Sequence, residues 1–468
     1  MASGRGEYLK GFGNEFESEA LPGALPQGRN NPLRCPLNLY AEQLSGTAFT
    51  APRADGKNLR TWLYRIKPSV THEPFRAPAF PNDHLMADFS GGRGDHGCCV
   101  TPNQLRWFPL EVPPKPGGGH APTDFVRGLK TFCGAGSAAV KDGYAVHMYT
   151  FNADMARSCL ANADGDLLLV PQMGELRVTT EMGVMWVPPG HVCVVPRGIR
   201  FSVDLERRGP PVKETSKTKH RAWCKRQRVH YLAREQRQGY TIEANSCHKL
   251  ELLTPEQQLV ARDALMAAIQ AEAPGASLER LRERLTFVTL LKTLRQYDAD
   301  MGASREDDVE GGARGYVLEI FGGHFELPNL GLIGANGLAS ARDFETPVAA
   351  FDGDGGRGGD DGESSRGGGG GSDEKPWRVV HKFLGELFEA EQDFSPFNVV
   401  AWHGNYVPYR YDLAKFCPMN TVAFDHPDPS IFTVLTCPGT GQRSGAAAAD
   451  FVVFPPRVNT TADTFRLP

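Results

Sequence analysis

Cysteine is sparse and unpatterned: ten occur in 468 residues, Cys98 and Cys99 are adjacent, and no Cys-x-x-Cys occurs anywhere. That excludes a disulfide framework and a paired-cysteine zinc knuckle, and it fits scattered reduced thiols in a cytosol. Long apolar runs are missing too, since none approaches the ~20 residues that a membrane helix needs. Met1 to Gly13 mixes charge with glycine and holds no apolar core, so no secretory signal is read there. An excess of positive charge is also lacking, with 51 Lys and Arg against 55 Asp and Glu and a net charge of −4. No global field exists to draw in nucleic acid. These absences predict a cytoplasmic protein without a membrane or nucleic-acid partner. A length of 468 residues, a hydrophobic content of 40% and a charged content of 23% leave ample core for roughly two to three globular domains or one elaborated double domain.

Helical periodicity is missing from residues 7 to 66. Asn38 to Arg53 and Thr61-Trp-Leu-Tyr-Arg-Ile66 read as short β segments punctuated by Gly and Pro. From Gly165 the β signal strengthens, with strands predicted over 167–170, 175–180, 184–187, 192–195 and 200–203. Turn residues separate them: Pro171 to Gly174, Glu181 to Gly183, Pro188 to Gly190 and Pro196 to Gly198. Five short strands at near-regular spacing predict a jelly-roll sandwich or barrel. The order Gly-Asp-x-Leu-x-Val-Pro-x-x-Gly, then Pro-Gly, then Pro-x-Gly-x-x-Phe resembles the cupin barrel. Arg200 stands where metal-binding cupins place a histidine, and His191 lacks a His-x-His partner. The resemblance therefore implies a metal-free N-terminal scaffold.

Residues 205–313 break this pattern. Eleven Lys and Arg against three Glu occupy 206–237, and Thr254-Pro255-Glu256-Gln257 carries the marks of a helix start. Leu278, Leu281, Leu285, Val288 and Leu291 recur at helical steps. A helical, basic insertion is expected, either packing on itself or serving as an interaction module. Arg314 to Phe321 returns to strand, whereas 353–374 is rich in Gly and Asp and is expected to be a disordered surface loop.

The stretch Phe397 to Tyr411 concentrates the chemistry. Val399 to Trp402 has the length and branching of a buried strand, and His403 follows at its mouth, before Gly404-Asn405. Trp402, Tyr406, Tyr409 and Tyr411 surround it in sequence, which suits an aromatic, proton-bearing ligand. An imidazole accepts a phenolic proton near neutrality without an extreme pKa shift. The plainer alternative is a structural histidine bonding its own loop.

Long segments resemble the homogentisate 1,2-dioxygenase family: Gly11 to Glu15, Asn38 to Phe49, Trp62 to Ile66, Pro102 to Trp107 and Cys133 to Gly136. Asn162 to Gln172, His324 to Pro328, Gly334 to Gly337, Ser395 to Tyr406 and Ala423 to Leu435 continue it in order. The resemblance implies a mainly β, cupin-like jelly-roll double barrel. Residues 1–204 with 314–352 would form the N-terminal β domain, and 375–468 would begin a C-terminal catalytic domain. It also implies Fe(II)-dependent insertion of O2 into homogentisate to give maleylacetoacetate, in tyrosine and phenylalanine breakdown, by a homo-oligomer. Two histidines and a carboxylate would hold the iron. His403, in Trp-His-Gly-Asn, matches the family's proton acceptor.

The resemblance also implies departures. The 205–313 insertion and the 353–374 loop are additions. The family's iron ligands follow the counterpart of Thr464-Phe-Arg466, and no residue here matches them. The expectation is therefore a chain whose second barrel is incomplete, whose iron ligands are absent and which is inactive. A catalytically silent structural or regulatory subunit is the alternative. His426 with Asp425, His324 and His381 are read as structural rather than as replacement ligands.

Overall fold

The computed structural model describes residues 7–27, 35–52, 58–91, 100–101, 110–114, 116, 121–206, 312–328, 339–352, 375–416, 429–439 and 447–453. The expected helical insertion, apart from its ends, and the Gly/Asp-rich loop at 353–374 lie outside the described residues. So do His426 and Asp425.

In chain order the strands begin with β1 (Tyr8–Lys10), β2 (Phe16–Glu19), β3 (Tyr40–Ser45), β4 (Arg60–Arg65), β5 (Leu129–Ser137) and β6 (Asp142–Phe151). After β7 (Ser158–Asn162), the predicted jelly-roll segment contains β8 (Gly165–Met173), β9 (Leu176–Thr180), β10 (Gly183–Val187), β11 (His191–Val195) and β12 (Arg200–Leu205). Then come β13 (Ala313–Phe321), β14 (Phe344–Pro347), β15 (Trp377–Phe383), β16 (Glu386–Gln392), β17 (Val399–Gly404), β18 (Tyr409–Asp412), β19 (Thr433–Pro438) and β20 (Ala447–Val452). A single helical turn, Phe125–Gly128, is capped by the Asp124 carboxylate.

The mainly β, cupin-like architecture is present, but its sheets are open. One has eight strands in the order β1-β14-β18-β11-β8-β13-β6-β5, and another has six, β10-β9-β12-β7-β15-β16. A third, β2-β17-β4-β3, carries the His403 strand, and β19 pairs with β20. Among the described residues no sheet closes into a barrel, which corrects the expected double barrel.

Side-chain alternation builds the core. Leu167 and Leu169 join a cluster with Val178, Val203, Val380 and Trp402, so the eight- and six-stranded sheets share one apolar interior. Leu168 points the other way, into a second cluster with Val194, Tyr411 and Leu435. Burial on both faces explains the uninterrupted Leu167 to Val170 run.

A buried ionic knot spans the interior. Lys382 Nζ on β15 lies 3.0 Å from both Glu319 oxygens on β13 and also bonds Asp164. Glu319 additionally accepts from Asn162 and sits 3.0 Å from His147 Nε2. Such groups are tolerated inside a protein only when every charge is answered.

The strands over 377–412 do not open a separate domain. β15 runs parallel beside β7, β17 lies between β2 and β4, and β18 lies between β11 and β14. They fall in one compact unit with Met1–Glu206. The expected boundary at 375 followed composition across the Gly/Asp-rich stretch, whereas hydrogen bonding joins its two sides.

Candidate functional site

His403 occupies the last turn-facing position of β17, opposite Trp62 of β4 on one side and Glu17 of β2 on the other. Alternation turns Trp402 into the core, where it is fully buried and its indole N–H donates to the Met182 carbonyl oxygen at 2.8 Å. His403 therefore faces away from that core, on the side of β4 that carries Trp62 and Tyr64.

The turn after His403 is stitched to β4. Gly404 has φ of +147°, and a Cβ there would collide with the Arg60 carbonyl and the Thr61 backbone. Only glycine tolerates both demands. Asn405 Oδ1 accepts from the Arg60 N–H at 3.0 Å, and its amide donates to the Asn58 carbonyl at 2.9 Å. Thr61 Oγ1 donates to the Tyr406 carbonyl at 2.6 Å and accepts from the Tyr406 N–H at 3.1 Å. The Trp-His-Gly-Asn-Tyr sequence thus encodes a rigid seat for one imidazole.

His403 Nε2 lies 3.0 Å from Tyr64 Oη, and the two rings stack with centroids 5.8 Å apart at 25°. Partial burial holds the imidazole pKa below the ordinary histidine value; Glu15 and Glu17 pull upward and Arg60 downward. The ring is neutral at pH 7 and able to accept a proton. Burial raises the Tyr64 phenol above its ordinary value, so it stays protonated there.

The ring of aromatics anticipated around His403 does not assemble. Tyr409 and Tyr411 are buried in the outer cluster with Phe344. Tyr406 donates its hydroxyl to the Arg197 carbonyl at 2.9 Å. Strand alternation at Trp402 and the sharp turn at Gly404 direct these rings elsewhere. Tyr64 is the aromatic partner that sequence reasoning missed; it is 339 positions away from His403 and no spacing pattern links the two.

The other singled-out residues have local partners. His324 Nδ1 lies 2.9 Å from Asp166 Oδ2, and its Nε2 lies 3.0 Å from the Gly46 carbonyl oxygen. Phe75 packs against His381, whose pKa is lowered by burial and by Arg200. Arg200, with Arg65, Glu181 and His381, lines a cavity of about 230 Å³ that does not include His403. His191 is partly buried and its pKa is lowered, with burial the leading cause. Among the described residues no three His, Cys, Asp or Glu side chains converge as a metal ligand set.

Fold and site together define a cupin-like β protein with a neutral histidine seated at a strand mouth. Comparison with known proteins gives the family. The model described as Homogentisate 1,2-dioxygenase N-terminal matches residues 7–221, 302–365 and 368–413, and Homogentisate 1,2-dioxygenase C-terminal matches 414–468. Homogentisate 1,2-dioxygenase of Oryza sativa subsp. japonica is 45% identical over 464 residues, covering 98% of this chain and 70% of that protein. The Arabidopsis thaliana and Homo sapiens proteins of that name are 41% and 39% identical, with 99% of this chain covered and 71% and 74% of theirs. The chain belongs to the homogentisate 1,2-dioxygenase family.

These matches refine the expectations. The N-terminal model is interrupted between 221 and 302, inside the expected insertion, but it runs through the Gly/Asp-rich stretch except at 366–367. That stretch is therefore not wholly an addition. The C-terminal model is represented as well, and the matches support neither the expected loss of activity, nor the absence of ligands, nor the silent-subunit alternative. No helix among the described residues is long and apolar enough to cross a membrane.

Proposed function

We propose that the chain carries out the reaction named for its relatives. The reaction is Fe(II)-dependent insertion of both atoms of O2 into homogentisate, opening the ring to maleylacetoacetate, with His403 as the proton acceptor. Iron would supply the binding of dioxygen and the acidification of the phenolic oxygen. The chain's own contribution here is to hold a neutral imidazole where it receives the phenolic proton. Homogentisate and O2 are then the partners, in a cytoplasmic homo-oligomer.

The observation that carries this reading is the seat of His403. Asn405, Thr61 and Gly404 fix the turn, and partial burial keeps the ring neutral at working pH. A general base needs both a fixed position and a pKa near or below the working pH. Oxygen uptake tests the reading. The chain supplied with ferrous iron is expected to consume one O2 per homogentisate and to yield maleylacetoacetate. Iron-loaded protein that consumes none would contradict it.

A further inference from the structure

We propose that Tyr64 is the positioning residue for His403: its phenol oxygen receives the Nε2–H and so leaves Nδ1 as the nitrogen that accepts the substrate's proton. The inference rests on the reading of His403 as the base and adds which atom acts and what selects it.

A neutral imidazole carries one N–H and one lone pair, and the hydrogen bond at one nitrogen decides the role of the other. Nε2 lies 3.0 Å from Tyr64 Oη. Tyr64 is only 6% exposed, so it closes that side of the ring to a ligand. Among the described residues Nδ1 makes no hydrogen bond, yet it is not one of the enclosed polar atoms left without a partner. Among the described residues, then, nothing occupies Nδ1. A proton arriving from outside reaches Nδ1, and Nδ1 can receive it only if the ring's own hydrogen sits on Nε2.

The phenol oxygen is suited to this. Burial keeps the hydroxyl protonated through the range in which histidine titrates, so it offers a neutral acceptor. The pair is fixed by register, since Tyr64 stands opposite Ala401 and Trp62 opposite His403 on the β4–β17 ladder. Stacking of the rings limits rotation of the imidazole. The charges facing His403 are Glu15 and Glu17 from the β2 side and Arg60 from β4. Among the described residues, the Tyr64 hydroxyl is the group bonded to the ring.

The proton balance is simple. The phenolic O–H of the substrate breaks, an Nδ1–H bond forms, and the electron pair stays on the substrate oxygen. The resulting imidazolium keeps its Nε2–H···Oη bond to Tyr64, which favours the charged ring. Release of the proton from Nδ1 to solvent restores the neutral form.

The test uses the full chain with ¹⁵N-labelled histidine, with the His403 signals identified by their loss in His403→Gln. In the unsubstituted protein the neutral ring is expected to carry its hydrogen on Nε2; a hydrogen on Nδ1 would overturn the proposal without any Tyr64 variant. Tyr64→Phe keeps the stacked ring and removes the acceptor. It should lower the His403 titration midpoint by about half a pH unit or more, a change of about threefold in the proton equilibrium. The acid limb of kcat should move by the same amount with KM unchanged. An unmoved midpoint would overturn the positioning role. If His403→Gln turned over at full rate, the base assignment would fall, while the tautomer and midpoint would still decide the Tyr64 link.

Discussion

The indole N–H of Trp402 donates to the Met182 carbonyl oxygen at 2.8 Å, in the middle of the apolar interior. This bond ties the His403 strand to the β9–β10 turn and fixes which face of β17 is buried. Trp402→Phe leaves the carbonyl unpaired and part of the volume empty. It is expected to cost about 2–4 kcal/mol, read as a lower urea midpoint with an unchanged slope.

Gly404→Ala should be worse for function than for composition. The substitution adds one methyl group, but at φ of +147° and against the Arg60 carbonyl. A loss of about 2–4 kcal/mol is expected. Turnover should fall even where the protein remains folded, because the strained turn carries His403. Unfolding curves and kcat on the same preparation check both.

Acid stability should depend on Glu319. Burial raises its pKa, but Lys382, His147 and Asn162 outweigh it and hold the carboxyl at about 2. A depressed carboxylate stabilises above its unfolded value of 4.5, and that contribution is lost as pH falls through the folded value. The window is therefore pH 4.5 down to about 2, and the contribution is on the order of 3 kcal/mol. Lys382→Met strands Glu319 and Asp164 inside the protein and should cost about 3–5 kcal/mol at neutral pH. Urea unfolding across pH measures both effects.

His324 should act with the opposite sign. Burial lowers its pKa, but Asp166 and the Gly46 carbonyl, which bond both ring nitrogens, more than reverse this and raise it above 6.5. Arg197 opposes them. Its stabilising contribution is present below 6.5 and is lost as pH rises through the higher folded value. His324→Gln should flatten that part of the stability profile, which thermal unfolding between neutral and mildly alkaline pH would show.

Much of this architecture is legible in the residues. Turns at 181–182, 188–190 and 196–199 delimit β9 to β12, whereas β8 runs on through the expected turn residue Pro171 to Met173, and the apolar run before His403 marks β17. The β5–β6 and β15–β16 hairpins are harder to read: β5 contains Gly134 and Gly136, and β15 and β16 carry charges such as Lys382 and Glu389 that are buried only because partners answer them. Position 375 resembles a boundary because a Gly/Asp-rich stretch precedes it, yet the strands beyond it pair back into the same sheets. His403 is recognisable from its motif. Its partner Tyr64 is not, since only the β4–β17 register brings them together.

Steady-state turnover of homogentisate by His403→Gln, in iron-loaded protein with an unchanged unfolding midpoint, bears most directly on the proton-accepting role. Glutamine keeps a polar side chain but cannot take the proton, so kcat should fall about 100-fold or more. The unsubstituted protein should lose activity only below the ordinary histidine pKa. A variant that turns over at the original rate, with the original pH profile, would contradict the assignment of His403.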